Sequence, residues 1–299
     1  MRSQVLKDQI ALHFTVFILG FTGILGHLIQ MDSSALVFWR VIIAVLALIP
    51  VLLWQRKSPG LPPKILAGAL LTGAVVGLHW VTFFHAIKIS NVSITLASLS
   101  ANTLLVALLE PLVFRKKLTW LEPGLGLVII FALGLILNVE AGFSQGLYMG
   151  LLSAFLAGAF TLMNRKLSLS KADELVVCLW EMVGAALVTG LFFWAQHGQW
   201  PVFPQGMDLF WLLILGTICT AFTFTLTIQL LQRLTAYTVV LAINLEPVYG
   251  FILAAILFKE NEALTPWFYL GSLLMILAVV GYSILQNRSP KLETGVKEK

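Results

Sequence analysis

Charge is scarce in this chain: 11% of its 299 residues are Asp, Glu, Lys or Arg, against 59% apolar. A soluble domain needs a charged surface, and this chain has too little charge to cover one. Cysteine is scarcer still. Cys178 and Cys219 both lie inside apolar runs, which excludes a disulfide framework and a four-ligand zinc site. There is no Gly-x-x-x-x-Gly-Lys-Ser/Thr loop, so the chain is not itself powered by ATP. Neither His-Glu-x-x-His nor Gly-x-Ser-x-Gly occurs, which leaves a membrane hydrolase or prenyltransferase little to work with. His79 and His85 are six apart, point to different helix faces and make a poor metal pair. No catalytic residue, metal or cofactor is therefore expected. The net charge of +5 does not indicate nucleic acid, because the basic residues sit in short clusters between apolar runs.

What the chain has is length of apolar run. The mean hydropathy is +0.93. Crossing a hydrocarbon core of roughly 30 Å takes about 20 helical residues. Runs of that size fall near 10–29, 34–54, 65–87, 92–114, 121–138, 146–164, 174–195, 208–231, 237–258 and 266–285. The first run is too long for a signal-peptide core and reads as the first span. Period-2 alternation is absent, so the expected fold class is an all-α integral membrane protein of ten transmembrane helices. With the N-terminus in the cytoplasm, sixteen Lys and Arg fall on that side, and only Lys88 and Lys259 fall on the other. Both termini are then cytoplasmic. Trp54, Trp120, Trp194, Trp211 and Trp267 lie near span ends, where an amphipathic ring prefers the interface.

The two halves align. A separation of 144 pairs Gly73 with Thr217, Asn91 with Thr235, Asn102 with Glu246 and Phe114 with Phe258. A separation of 147 pairs Trp120 with Trp267, Gly124 with Gly271 and Gly134 with Gly281, and 141 pairs Trp39-Arg40 with Trp180-Glu181. Five spans per half is an odd number, so the second half enters the membrane upside down. The expected organisation is 1–142 and 143–286 as inverted five-helix repeats, with 287–299 a polar cytoplasmic tail.

Phe38-Trp39-Arg40, the stretch His85-Ala86-Ile87-Lys88-Ile89-Ser90-Asn91-Val92-Ser93, and Leu257-Phe258-Lys259-Glu260 resemble the EamA-type drug/metabolite transporter superfamily. The resemblance covers nearly the whole chain. It implies export of amino acids or related metabolites across a bacterial cytoplasmic membrane, through a cavity lined by spans 1, 3, 4, 6, 8 and 9. It also implies that spans 5 and 10 brace the structure, where Gly124, Gly134, Gly271 and Gly281 suit close packing. One departure is that Phe114-Arg115-Lys116-Lys117 stands where the family usually has a Gly-Glu pair.

A charge at mid-bilayer costs roughly 2.5–3.5 kcal/mol on insertion scales, so each one needs a reason. Glu246, before Pro247, shares a stripe with Val239, Ile243, Tyr249 and Leu253, and reads as a carboxylate that binds a substrate amine or cycles a proton. Asn102 is its repeat equivalent, on a stripe with Thr95, Ser98 and Leu99. His79, Trp80 and Phe83 lie deep in span 3 and suit an aromatic or zwitterionic substrate. The substrate-wall candidates are therefore His79, Trp80, Phe83, Asn102, Glu246 and Tyr249, with helix packing as the plainer alternative for each. Arg40 and Glu181 are candidates for a structural ion pair. On span 8, Thr217, Thr220, Thr223 and Thr227 form a hydroxyl stripe that suits packing better than cavity lining. The expected partners are a small-molecule substrate, the lipid bilayer and protons as coupling ion, with the chain a monomer or homodimer. An importer, an uncoupled facilitator, a membrane enzyme and a scaffold are the competing readings.

Overall fold

The structure, a computed structural model, describes residues 2–90, 92–117, 119–137, 144–246, 248–249 and 266–288. Its elements are α1 (Arg2–Leu28), α2 (Ser33–Trp54), α3 (Pro63–Ile89), α4 (Val92–Leu99), α5 (Ala101–Phe114), α6 (Leu121–Leu137), α7 (Ser144–Ser168), α8 (Glu174–His197), α9 (Gly206–Gly216), a π-helical segment Thr217–Phe222, α10 (Thr223–Leu231), α11 (Ala236–Ile243) and α12 (Pro266–Arg288). Among the described residues there is no strand. Backbone polar groups in lipid must be satisfied within the span, and helices do this segment by segment.

Six helical stretches are long and apolar enough to cross a membrane: Gln4–Leu28, Ser33–Trp54, Pro63–Ile89, Gln145–Ser168, Glu174–His197 and Gly206–Leu231. Ala101–Phe114, Leu121–Leu135 and Tyr269–Tyr282 are shorter apolar helices. Large apolar side chains such as Leu53, Leu112, Phe131 and Leu187 stand on the outer surface. That surface fits lipid and not water. Trp54, Trp120, Trp194 and Trp267 are exposed too, while Trp211 is partly buried against the core.

Two expected spans are interrupted. The run 92–114 breaks at Ser100, where the Thr103 amide bonds the Ser100 carbonyl at 3.1 Å in a tighter turn. The run 237–258 forms a helix only as far as Ile243 before a turn. There Asn244 Nδ2 donates to Val240 O (2.8 Å) and to Thr103 Oγ1, so a side chain competes with the backbone ladder. Leu253, Asn91, Pro247 and the Leu257–Glu260 stretch lie outside the described residues.

Local chemistry sets the helix starts. Asp32 caps α2 by accepting from the Ser34 amide at 2.8 Å, and Asp173 caps α8 by accepting from Leu175 at 3.0 Å and Val176 at 3.3 Å. Pro63 opens α3, where a missing N–H costs nothing. These two caps stand 141 residues apart, and so do Trp39 and Trp180. Trp39 Nε1 donates to Val202 O (2.9 Å) in the connection after α8, and Trp180 Nε1 donates to Pro59 O (2.8 Å) in the connection after α2. Lys57 pairs with Asp173 at 2.7 Å beside the second of these contacts.

Helices α3 and α8 cross with their backbones nearly touching. A Cβ on Gly73 would lie 1.9 Å from Glu181 O, and one on Gly184 would lie 2.2 Å from Leu70 O. Small residues permit such crossings in membranes. Three of the four glycines expected to do this in spans 5 and 10 do not: a Cβ on Gly124, Gly134 or Gly281 would meet nothing within 4 Å, while Gly271 is buried. Those three sit on the open side of α6 and α12, where nothing approaches closely.

Buried apolar side chains form two clusters. One joins α1, α2, α3, α4, α8, α9, the π segment and the first part of α10, and the other joins α5, α6, α7, α11 and α12 with the first half of α1 and the end of α10.

Candidate functional site

Where the two clusters meet, a cavity of about 90 Å³ opens. That is room for several water molecules or part of a small metabolite. A neighbouring pocket of about 20 Å³ shares Leu99, Asn102, Ile243 and Glu246 with it. Five of the six substrate-wall candidates line the larger cavity: His79, Trp80, Phe83, Asn102 and Glu246. Val239 and Ile243 from the Glu246 stripe join them. Tyr249 is not among the lining residues; its ring meets Phe17 edge-on at 5.7 Å. From the Asn102 stripe, Leu99 reaches the cavity, while Ser98 packs on α7, where a Cβ on Gly150 would lie 2.5 Å from it.

The aromatic wall is continuous. His79 lies 6.1 Å from Phe83 and 5.2 Å from Phe160 by ring centroids, Phe160 lies 6.0 Å from Phe224, and Phe224 meets Trp80 at 4.9 Å. His79 Nδ1 is 2.9 Å from the Ser153 carbonyl, which can only accept, so Nδ1 carries the proton. In the neutral ring Nε2 is then left as an acceptor.

The polar wall is under-bonded. Among the described residues five buried side-chain atoms lack a hydrogen-bond partner, and four of them belong to residues of this cavity: Thr22 Oγ1, Arg40 Nη1, Asn102 Oδ1 and Asn164 Oδ1. The fifth, Glu181 Oε1, stands directly behind, since Asn164 Nδ2 donates to Glu181 Oε2 at 3.3 Å. Buried polar atoms are nearly always bonded in native proteins, so such a concentration marks a place where a ligand or water belongs.

Arg40 and Glu181, the ion-pair candidates, take different partners. Arg40 Nε donates to Thr220 Oγ1 at 2.7 Å, and its guanidinium carbon lies 3.9 Å from the Trp80 ring centroid. No ion pair within 4.0 Å joins the two among the described residues, where the pairs are Lys57–Asp173, Lys116–Glu110 and Arg233–Asp8. The Thr stripe of span 8 divides as well. Thr223 donates to Cys219 O at 2.7 Å and serves packing, whereas Thr227 lines the cavity and Thr220 holds Arg40.

Sequence reasoning missed Phe160, Phe224, Thr22 and Asn164 as cavity residues. A signal for them was present. Along the chain, Trp80 and Phe224, Phe83 and Thr227, Leu99 and Ile243, and Asn102 and Glu246 are each separated by 144, and all eight line the cavity. Thr22 and Asn164, and Leu19 and Thr161, are separated by 142, and these four line it too.

At the end of the cavity where α1 begins, hydrogen bonds join the helices. Arg233 makes a two-pronged contact with Asp8 at 2.9 and 2.8 Å, and Ser168 Oγ (2.8 Å) and Arg165 Nη1 both donate to the Leu231 carbonyl. Glu110 accepts from the Tyr237 amide (2.7 Å) at the start of α11 and pairs with Lys116 at 3.2 Å.

Comparison with known proteins gives the family. No curated protein matches the chain. A solved structure titled only "Crystal structure of protein" has a TM-score of 0.75 at 15% identity, covering 93% of this chain and 96% of that one. At that identity the likeness concerns the fold. The model of the EamA-like transporter family matches residues 9–138 and 144–284. With both segments matched, nearly the whole sequence is accounted for, and this multi-pass membrane protein belongs to the EamA-like transporter family.

Proposed function

We propose that the chain is a secondary transporter that exports small metabolites, amino acids or their relatives, across a bacterial cytoplasmic membrane by alternating access. In this reading it is a carrier and not an enzyme. Residues 1–142 and 143–286 are inverted five-helix repeats, ten spans in all, with both termini cytoplasmic. The central cavity is the substrate site. His79, Trp80, Phe83, Asn102 and Glu246 form its wall, with Tyr249 supplying apolar contact beside Phe17.

The observation that carries this reading is the pairing of the cavity wall. Residues separated by 144 or 142 along the chain stand around one space, as two copies of a motif facing each other across a pseudo-two-fold axis would. The reciprocal bonds of Trp39 and Trp180, and the matching caps Asp32 and Asp173, support the same axis. Two similar halves can exchange conformations and open the cavity to either face. In this conformation the bonds among Asp8, Arg233, Arg165 and Leu231 close one end, which the positive-inside pattern makes the cytoplasmic one.

Glu246 is the coupling carboxylate in this account, binding a substrate amine in one state and a proton in the other. The test is reconstitution in liposomes with a metabolite panel under imposed pH gradients, comparing wild type with Glu246→Gln. The expected result is transport that responds to the gradient in wild type and loses that response in the variant. Unchanged flux and pH response in Glu246→Gln would remove Glu246 from the mechanism.

A further inference from the structure

Arg40 is buried as a cation with no ion-pair partner among the described residues. Its side chain has zero exposure, and no carboxylate of the described residues lies within the 4.0 Å of an ion pair. A guanidinium does not lose its proton in proteins, so the charge stays. A buried charge without an ion-pair partner is among the less favourable features a fold can carry. Such a residue inside a membrane reads as functional by default.

The surroundings hold the group without neutralising it. Thr220 has one hydroxyl proton, and it is donated to the Leu215 carbonyl at 2.6 Å, five residues back. The lone pairs of the same oxygen are thereby left to accept from Arg40 Nε at 2.7 Å. Thr220 lies in the π-helical segment Thr217–Phe222, a distortion that is rare in general and frequent at functional sites. Trp80 covers one face of the guanidinium at 3.9 Å. With the Nε edge and one face taken, Nη1 is still without a hydrogen-bond partner. The one carboxylate among the cavity's lining residues, Glu246, acts on Arg40 electrostatically but lies outside ion-pair distance.

We propose that Arg40, held by Thr220 and Trp80, is the binding site for an anionic group, a carboxylate or a phosphate, on the molecule the cavity receives. A planar fork of N–H donors matches two oxygens of either group. The inference rests on the transport reading and deepens it, because it requires an acidic substrate. It also makes Arg40 a ligand-binding residue with Thr220 as its positioning residue, where a structural arginine would need only an internal partner.

The test uses purified full-length protein and acid–neutral pairs: 3-phenylpropionate against its near-isostere 3-phenylpropionamide, and phenyl phosphate against its neutral dimethyl ester. Ligand-dependent thermal stability gives apparent affinities. Wild type should favour an acid over its neutral partner by about tenfold or more, the range of a charge-assisted bond. Whichever acid shows the larger preference identifies carboxylate or phosphate as the group. Arg40→Gln should abolish the preference, and Arg40→Lys should retain part of it. Thr220→Val keeps the charge and should weaken acid binding several-fold with the amide unaffected, which serves if Arg40→Gln does not fold. Equal binding of acid and amide by wild type, survival of the preference in folded Arg40→Gln, or no binding of either acid would each overturn the site. In a parallel flux assay, transport of neutral or cationic metabolites that is indifferent to Arg40 would sink the anion site alone. Absence of any flux across the panel would sink the transport reading with it.

Discussion

Trp80 and Phe224 stand 144 residues apart in the sequence and meet edge to face, with ring centroids 4.9 Å apart, at the wall of the central cavity. Such pairs contribute about 0.5–1.5 kcal/mol beyond the area they bury. A double-mutant cycle with Trp80→Leu and Phe224→Leu should therefore give a coupling energy of about 1 kcal/mol in thermal unfolding. Strict additivity would mean that the rings merely share a cavity.

The α3–α8 crossing should be intolerant of a single methyl group. At Gly73 and Gly184 the added carbon would fall on opposing backbone, which cannot yield as a side-chain tip can. Gly73→Ala and Gly184→Ala should each cost about 1–3 kcal/mol, and the double variant should be non-additive because both changes push on one interface. Gly134→Ala, where the space is open, should stay within about 0.5 kcal/mol. Equal effects at all three positions would contradict the close approach.

Asp32 gives a pH signature in the connection before α2. Burial acts to raise its carboxyl, but the hydrogen bonds from Ser34 prevail and hold it below its ordinary value of 3.8. The folded state therefore favours the ionised form. Its contribution is present above that value and fades as the pH falls through the lower folded one. Asp32→Ala should lose about 1 kcal/mol at pH 7 and progressively less as the solution is acidified below about pH 4. Thermal unfolding of both proteins at pH 7 and pH 3 checks this, and a loss independent of pH would contradict it.

Glu181 has zero exposure, a single hydrogen bond from Asn164 at 3.3 Å and no cation within 4.0 Å among the described residues. A charge-free Gln can keep a bond to Asn164 and avoids burying an unpaired anion. Glu181→Gln should accordingly change stability by less than about 1 kcal/mol, or raise it. A loss of several kcal/mol on unfolding would reveal a cationic partner in another conformation.

Much of the fold could be read from the sequence because lipid leaves few choices: long apolar runs must be helices. The interruptions at Ser100 and Asn244 were harder, since a local tightening of the turn at one and a side chain sharing the Val240 carbonyl at the other leave the apolar pattern almost unchanged. For the cavity, mid-span polarity pointed to His79, Asn102 and Glu246, because a polar group in hydrocarbon has to be explained. Phe160 and Phe224 escaped notice, since an aromatic ring in an apolar run looks the same whether it faces lipid, core or cavity. The glycines failed for the opposite reason. Gly134 and Gly73 read alike in one dimension, and only the approach of a second backbone separates them. Arg40 was legible as costly but not as unpaired, because its partner depended on which side of α2 met the π segment.

Under alternating access, one cavity is reached from both faces of the membrane in turn. Thr227 lines it, and the native cysteines Cys178 and Cys219 are both buried and can be replaced by alanine. In that background, Thr227→Cys in sealed vesicles of known orientation can be challenged with a membrane-impermeant maleimide from either side. Alternating access predicts reaction from each face, slowed by a transported metabolite on both. Reaction from one face alone, whatever metabolite is present, would contradict it.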